Sequence, residues 1–85
     1  MNYTVSFKPS AERDLERLDP RIQERVFKRL EKLKGNPRPP GAEKLHPKKD
    51  RYRVRVGKHR IVYVIDDRAR MIRIMAVQPR DQVYR

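Results

Sequence analysis

Cysteine is absent from this 85-residue chain. That excludes disulfides and any Cys-ligated zinc site, and it fits a reducing, cytoplasmic setting. Histidine is nearly absent too. His46 and His59 stand far apart, so there is no motif for catalysis by a pair of imidazoles, and each reads as an ordinary exposed histidine. Acidic residues number 11 against 23 Lys and Arg. They fall mainly in segments read below as helices and in the Asp66-Asp67 turn, so no paired-carboxylate site, no metal site and no cofactor is expected. No apolar run is long enough to span a bilayer, and Met1-Asn2-Tyr3-Thr4-Val5 lacks the apolar region of a secretion signal. No internal repeat and no low-complexity tail is visible. Apolar residues make up only 36%, so the single modest core that this length allows must come from well-patterned helices and strands.

What the chain has in excess is positive charge: a net +12 and a pI near 10.8. Such a balance favours a polyanionic partner, whether nucleic acid, an acidic protein or an anionic membrane surface. The charge is concentrated in YRVRVGKHRIVYVI, residues 52–65, which reads as two antiparallel strands around Gly57-Lys58. Strand residues alternate between faces, so Tyr52, Val54 and Val56 share one face and Arg51, Arg53 and Arg55 the other. Arg60 follows just after the turn. A guanidinium offers a planar fork of donors suited to phosphate and stays charged at physiological pH. The plainer alternative is a solvated edge hairpin whose charges guard it against aggregation.

The rest of the chain frames this hairpin. Residues 3–7 alternate as a short strand. Pro9-Ser10 opens a helix, with Ser10 as its cap and Ala11, Leu15 and Leu18 as its apolar stripe. Asp19-Pro20 starts a second helix, whose stripe of Ile22, Val26, Leu30 and Leu33 is widened by Phe27. Gly35 supplies its left-handed stop, reinforced by Asn36-Pro37. Residues 38–50 read as a Pro-rich, basic surface loop anchored by Leu45. A third strand, 70–77, completes a meander in which Ile61, Tyr63, Ile65, Ile72, Ile74 and Ala76 pack beneath the helices. Residues 80–85 form a short tail. The expected architecture is one α+β domain over 1–85, ordered β-α-α-β-β-β, with a helical hairpin on one face of an antiparallel sheet.

The initial strand, the AERDLERLDPRIQERVFKRLEKL helix pair, YRVRVGKHRIVYVI and the terminal PRDQVYR together resemble the RelE branch of the RelE/ParE toxin superfamily. The resemblance covers essentially the whole chain, and YRVRVGxxRIVY and the R-x-x-VY ending are its most specific parts. It implies a RelE-like, microbial-RNase-like sandwich and a type II toxin. That toxin would cleave mRNA in the A site of the 70S ribosome, leaving a 2′,3′-cyclic phosphate, and a cognate acidic, RelB-like antitoxin would neutralise it. It implies catalytic roles for Arg53, Arg55, Arg60, Arg80 and Tyr84: Arg60 on the scissile phosphate, Arg80 protonating the leaving oxygen, Tyr84 against the substrate base. Arg53 and Arg55 stand where the best-studied members carry lysines. Lys44, Lys48, Lys49, Arg51 and Arg73 are the expected contacts to mRNA and rRNA. No metal and no membrane partner is implied.

Cyclising cleavage removes a proton from the 2′-OH, stabilises charge at phosphorus and protonates the 5′-oxygen. Arginine serves the second need and fails the first, because it does not give up its proton. The base is therefore open: Tyr84 as phenolate, or no protein base at all, with charge stabilisation and ribosomal alignment sufficing. Two alternatives keep the same fold or charge: a ParE-like inhibitor of DNA gyrase, and a non-catalytic basic RNA-binding module.

Overall fold

The computed structural model describes residues 2–47 and 49–79. Its elements run β1 (Thr4–Phe7), α1 (Pro9–Glu16), α2 (Pro20–Gly35), β2 (Glu43–Lys44), β3 (Arg51–Val56), β4 (His59–Asp66) and β5 (Met71–Pro79). All the strands form one sheet in the order β1-β5-β4-β3-β2. The expected α+β arrangement holds, with two additions. β1 lies parallel to β5, from Thr4↔Met71 to Phe7↔Ile74. A parallel pair needs a long crossover, and here everything from α1 to β4 supplies it. β2 arises inside the expected loop and pairs antiparallel with β3 through Glu43↔Arg53 and Lys44↔Tyr52. Two charged, exposed residues carry no alternation that would mark a strand.

Local chemistry sets the helix ends. The N-cap of α1 is Lys8, with extended backbone and no side-chain cap, and Pro9 is the first helical residue. Ser10 thus lies inside the first turn rather than capping it. Pro fits that position because the N–H it lacks would have no partner there. α2 starts as expected: the Asp19 carboxylate accepts from the Arg21 N–H at 2.8 Å, and Pro20 follows. Its end differs from expectation. Gly35 stays helical and Asn36 turns extended at φ −150°, so no left-handed glycine stops the helix. Pro37 does so instead, by excluding the helical region for the residue before it.

The core lies between the helices and one sheet face. Ala11, Leu15, Val26, Leu30 and Leu33 meet Tyr52, Val54, Val56, Ile61, Tyr63, Ile65, Ile72, Ile74 and Val77. Val77 replaces the expected Ala76. Opposite Val62 stands Ala76, but opposite Tyr63 stands Ile74, so Met75 is an extra residue and β5 bulges there. A bulge reverses the in–out alternation beyond it, which turns Val77 inward and leaves Ala76 on the other face. Phe27 is 49% exposed, because it sits about 100° around the helix from Val26. Leu45 is 40% exposed and its side chain is not part of the core; its backbone N–H ties it to the sheet, donating to the Arg51 carbonyl at 2.8 Å. The loop is also held by buried Pro37, whose carbonyl accepts the Tyr63 hydroxyl at 2.7 Å.

Arg38 ties the same loop to the end of the sheet away from the Gly57 turn. Its guanidinium donates to both Asp67 oxygens (3.2 and 2.8 Å), to Asp50 (3.2 Å) and to the Tyr52 hydroxyl (3.0 Å). The Tyr3 hydroxyl also donates to Asp67. Bonding to Arg38 and then to Tyr3 holds the Asp67 carboxyl down at about 2, and the Tyr3 phenol is raised in return. Tyr63 is pushed up to about 12, chiefly by burial, so it remains a neutral donor to Pro37.

Tyr63→Phe removes the buried donor to the Pro37 carbonyl and should destabilise the fold by about 1–3 kcal/mol in urea denaturation. The Asp67 pKa is depressed on folding, so its contribution is complete above its ordinary value of 3.8 and is lost as pH falls toward about 2. Asp67→Asn should flatten the stability–pH curve across that interval while leaving its slope near neutrality unchanged. An unaltered acid limb would show that the clamp is not what titrates.

Candidate functional site

The hairpin of β3 and β4 turns on Gly57, whose φ of +59° suits a two-residue turn and a residue without Cβ. It places Arg51, Arg53 and Arg55 on the face away from the helices, opposite Val64, Val62 and Arg60 respectively. Arg60 lies on the same face of β4, between Arg55 on one side and Gln78 on the other. Directly opposed cross-strand residues have Cβ atoms about 5 Å apart, and like charges there are destabilising. Arg55 is exposed, whereas Arg60 is only 1% exposed. Three guanidiniums are thus crowded on rigid strands, one of them enclosed. Half-buried Val62 and Val64 form an apolar floor beside them.

A carboxylate meets this cluster. Glu43, on β2 opposite Arg53, accepts from Arg53 Nη2 at 2.6 Å and from Nε at 3.2 Å, both through Oε2. Its pKa is lowered, first by the hydrogen bond and charge of Arg53 and then by the charges of Arg55 and Arg60. One anion is therefore felt by all three cations, yet its side chain remains 51% exposed. Glu43 went unnoticed in the sequence because it lies ten residues before Arg53 in a segment without periodicity. Only the pairing of β2 with β3 makes the two neighbours.

The other expected site residues divide. Arg73 lies on β5 opposite Val64, on the arginine face and exposed. With Arg51 it brackets Val64 at roughly two strand spacings, about 10 Å. Lys44 is on β2, and its Nζ sits 5.9 Å from the centroid of Tyr52, a core-side ring; it serves the helix side of the edge rather than the arginine row. Lys49 is exposed in the loop before β3. Lys48, Arg80 and Tyr84 fall outside the described residues. His59 shares the parity of Ile61 and so faces the helices, away from the arginines. Among the described residues, no group of three or more His, Cys, Asp or Glu could hold a metal ion. The chemistry available is anion binding by fixed guanidiniums, with one ionised carboxylate able to accept a proton.

Comparison with known proteins gives the family. Residues 5–84 match the family model described as the ParE toxin of the type II toxin–antitoxin system parDE. An Escherichia coli protein named as a RelE-like toxin is 36% identical over 84 residues, covering 96% of this chain and 87% of that protein. In the RelBE2 toxin–antitoxin complex from Mycobacterium tuberculosis, one chain is 32% identical, with a TM-score of 0.81 over 94% of this chain and 100% of that one. The free form of an E. coli RelE variant superposes with a TM-score of 0.84 over 99% of this chain and 92% of that one, at 24% identity, which speaks to the fold alone. The chain belongs to the ParE toxin family of type II toxin–antitoxin systems, within the RelE/ParE superfamily.

Proposed function

We propose that this toxin is a ribosome-dependent endoribonuclease that cleaves mRNA in the A site by attack of the 2′-OH on the adjacent phosphorus, and so inhibits translation in the cytoplasm. The observation that carries the reading is the row of Arg53, Arg55 and Arg60 on one sheet face, with the exposed carboxylate of Glu43 bonded to Arg53 beside them. A phosphodiester is the natural occupant of such a place, because its anionic oxygens can take the donors that Glu43 now uses. Binding there sets Glu43 beside the reacting ribose. Glu43 accepts the 2′-OH proton, the O2′–P bond forms, and the P–O5′ bond breaks to leave a 2′,3′-cyclic phosphate. The 5′-oxygen takes its proton from solvent, which Glu43 in turn replenishes on losing the proton it took; Arg80, to which family resemblance gives the leaving-group position, holds that oxygen by hydrogen bonds, with Tyr84 against the base. Preplaced guanidiniums stabilise the charge gathering at phosphorus, which is often the largest single contribution to such catalysis.

A carboxylate with a lowered pKa is a weak base, but at neutral pH it is always ready to accept a proton. That answers the deficiency of the arginines, which cannot do so. Lys49, Arg51 and Arg73, with Lys44 and Lys48, supply sequence-independent attraction to mRNA and rRNA. The toxin's partner outside the ribosome is a cognate antitoxin, acidic and RelB-like; the M. tuberculosis relative was solved as a toxin–antitoxin complex. Neutralisation then consists of covering the arginine face with opposite charge. The ParE name of the matching family model favours a second reading, a gyrase inhibitor that cleaves nothing.

Primer extension on an mRNA in a reconstituted translation system, with and without ribosomes, tests the assignment. Wild type should cut within A-site codons only when ribosomes are present. Arg60→Ala should lose about 10²–10³ in rate, the typical cost of one charge-stabilising donor. Glu43→Gln, which keeps shape and removes the proton acceptor, should lose about 10²–10⁴. Full cleavage by a folded Arg60→Ala protein would remove the phosphate role, and full cleavage by Glu43→Gln would remove the base. Absence of cuts with wild type, together with loss of gyrase supercoiling activity, would establish the second reading.

A further inference from the structure

A second cluster of cations lies on the other side of the hairpin. Arg25, Lys28, Arg29 and Lys32 form one stripe of α2, at spacings of three, four and seven residues, and face Arg55 across a cleft of about 260 Å³. Among the described residues, no carboxylate lines it. Among the described residues, the ion pairs of these five cations reduce to one, an exposed Lys28–Glu24 contact at 3.4 Å. Arg29 is half-buried, and its Nε is enclosed without a hydrogen-bond partner. A Cβ on Gly57 would lie 3.0 Å from Arg25 Nη1, so the Arg25 guanidinium rests against the turn that glycine permits. The cations are thus held by a helix and a tight hairpin, with that one exposed ion pair among the described residues.

We infer that this cleft is a second phosphate-binding site, which takes the backbone of single-stranded RNA outside the cleavage site. Arg55 belongs to both places: it faces Arg60 on the sheet and lines the cleft beside α2. A strand leaving the arginine face can therefore pass over the hairpin edge onto the helix stripe, which runs for about 10 Å between Arg25 and Lys32. Among the described residues, Val56 is the one large hydrophobic side chain that lines the cleft, and five of the seven are cations. An acidic protein segment would draw little there, since protein partners gain most of their affinity from buried apolar and aromatic anchors. A phosphodiester needs only fixed donors and charge. The class of ligand rests on the RNA reading above; the site itself does not require cleavage.

The test is binding of the full chain to a short 2′-O-methylated single-stranded RNA, which cannot be cut by 2′-OH attack, followed by fluorescence anisotropy across a salt series. Arg25→Gln/Lys32→Gln alters two exposed side chains and leaves the core untouched. It should reduce the slope of log K against log salt by about 1.4, two contacts' worth, and weaken binding roughly tenfold at moderate salt. Arg13→Gln/Arg17→Gln removes the same charge from α1 and should leave the slope in place. An unchanged slope in the first variant, or an equal fall in the second, would overturn the site. So would a variant that loses affinity for poly-glutamate and keeps it for RNA. Cleavage without this slope change would remove the cleft and spare the endonuclease; the slope change without cleavage would do the reverse.

Discussion

Arg55 and Arg60 face one another across an antiparallel ladder, and the rest of the molecule exists around that unfavourable pair. Two like charges about 5 Å apart at their Cβ atoms repel, and one of them is almost wholly enclosed. The strands bear this because their other face is apolar and fully used. Val54, Val56, Ile61 and Tyr63 alternate with the arginines and are buried to 6% exposure or less. Burial contributes about 25 cal/mol per Å² of apolar surface, so the same residues that make the hairpin rigid also offset the electrostatic cost of its outer face. Glu43, the one acid bonded to this row among the described residues, stays exposed. It moderates the repulsion from the open side of the sheet edge.

That arrangement depends on both ends of the sheet being held. At the Gly57 end, Arg25 packs on the turn and α2 lies beside β3. At the far end, Arg38 gathers Asp50, Asp67 and Tyr52, and Asp67 also takes the Tyr3 hydroxyl. Residues from the start, middle and last third of the chain meet there, which ties the loop that carries β2 to that end of the sheet. The bulge at Met75 acts in the same sense on β5. It turns Val77 into the core, where the Val77 N–H bonds the Asp14 carboxylate at 3.2 Å, and leaves Gln78 opposite Arg60.

Charge is also distributed with a direction. The arginine face and the α2 cleft are adjacent and share Arg55, whereas acids sit mainly on exposed helix positions and at the Asp66-Asp67 turn. A field of one sign over contiguous surfaces speeds encounter with a polyanion and weakens with salt. Discrimination among polyanions then falls to short-range features such as the planar donor forks of the guanidiniums.

The sequence by itself determined the elements and the arginine face, because both are written in local periodicity. Alternation over residues 51–56 sets which side chains share a face, Asp19-Pro20 starts a helix wherever the chain goes, and Gly57 fits a tight turn. Tertiary structure decided what no local pattern encodes. Glu43 meets Arg53 only because two non-periodic residues join the sheet edge. Val77 displaces Ala76 only because β5 must bulge to follow β4. Phe27 is left half-exposed and Arg60 enclosed by the packing of whole elements around them. Periodicity acts between neighbours in the chain, whereas the site is made by residues whose proximity is settled only when every element has found its partner.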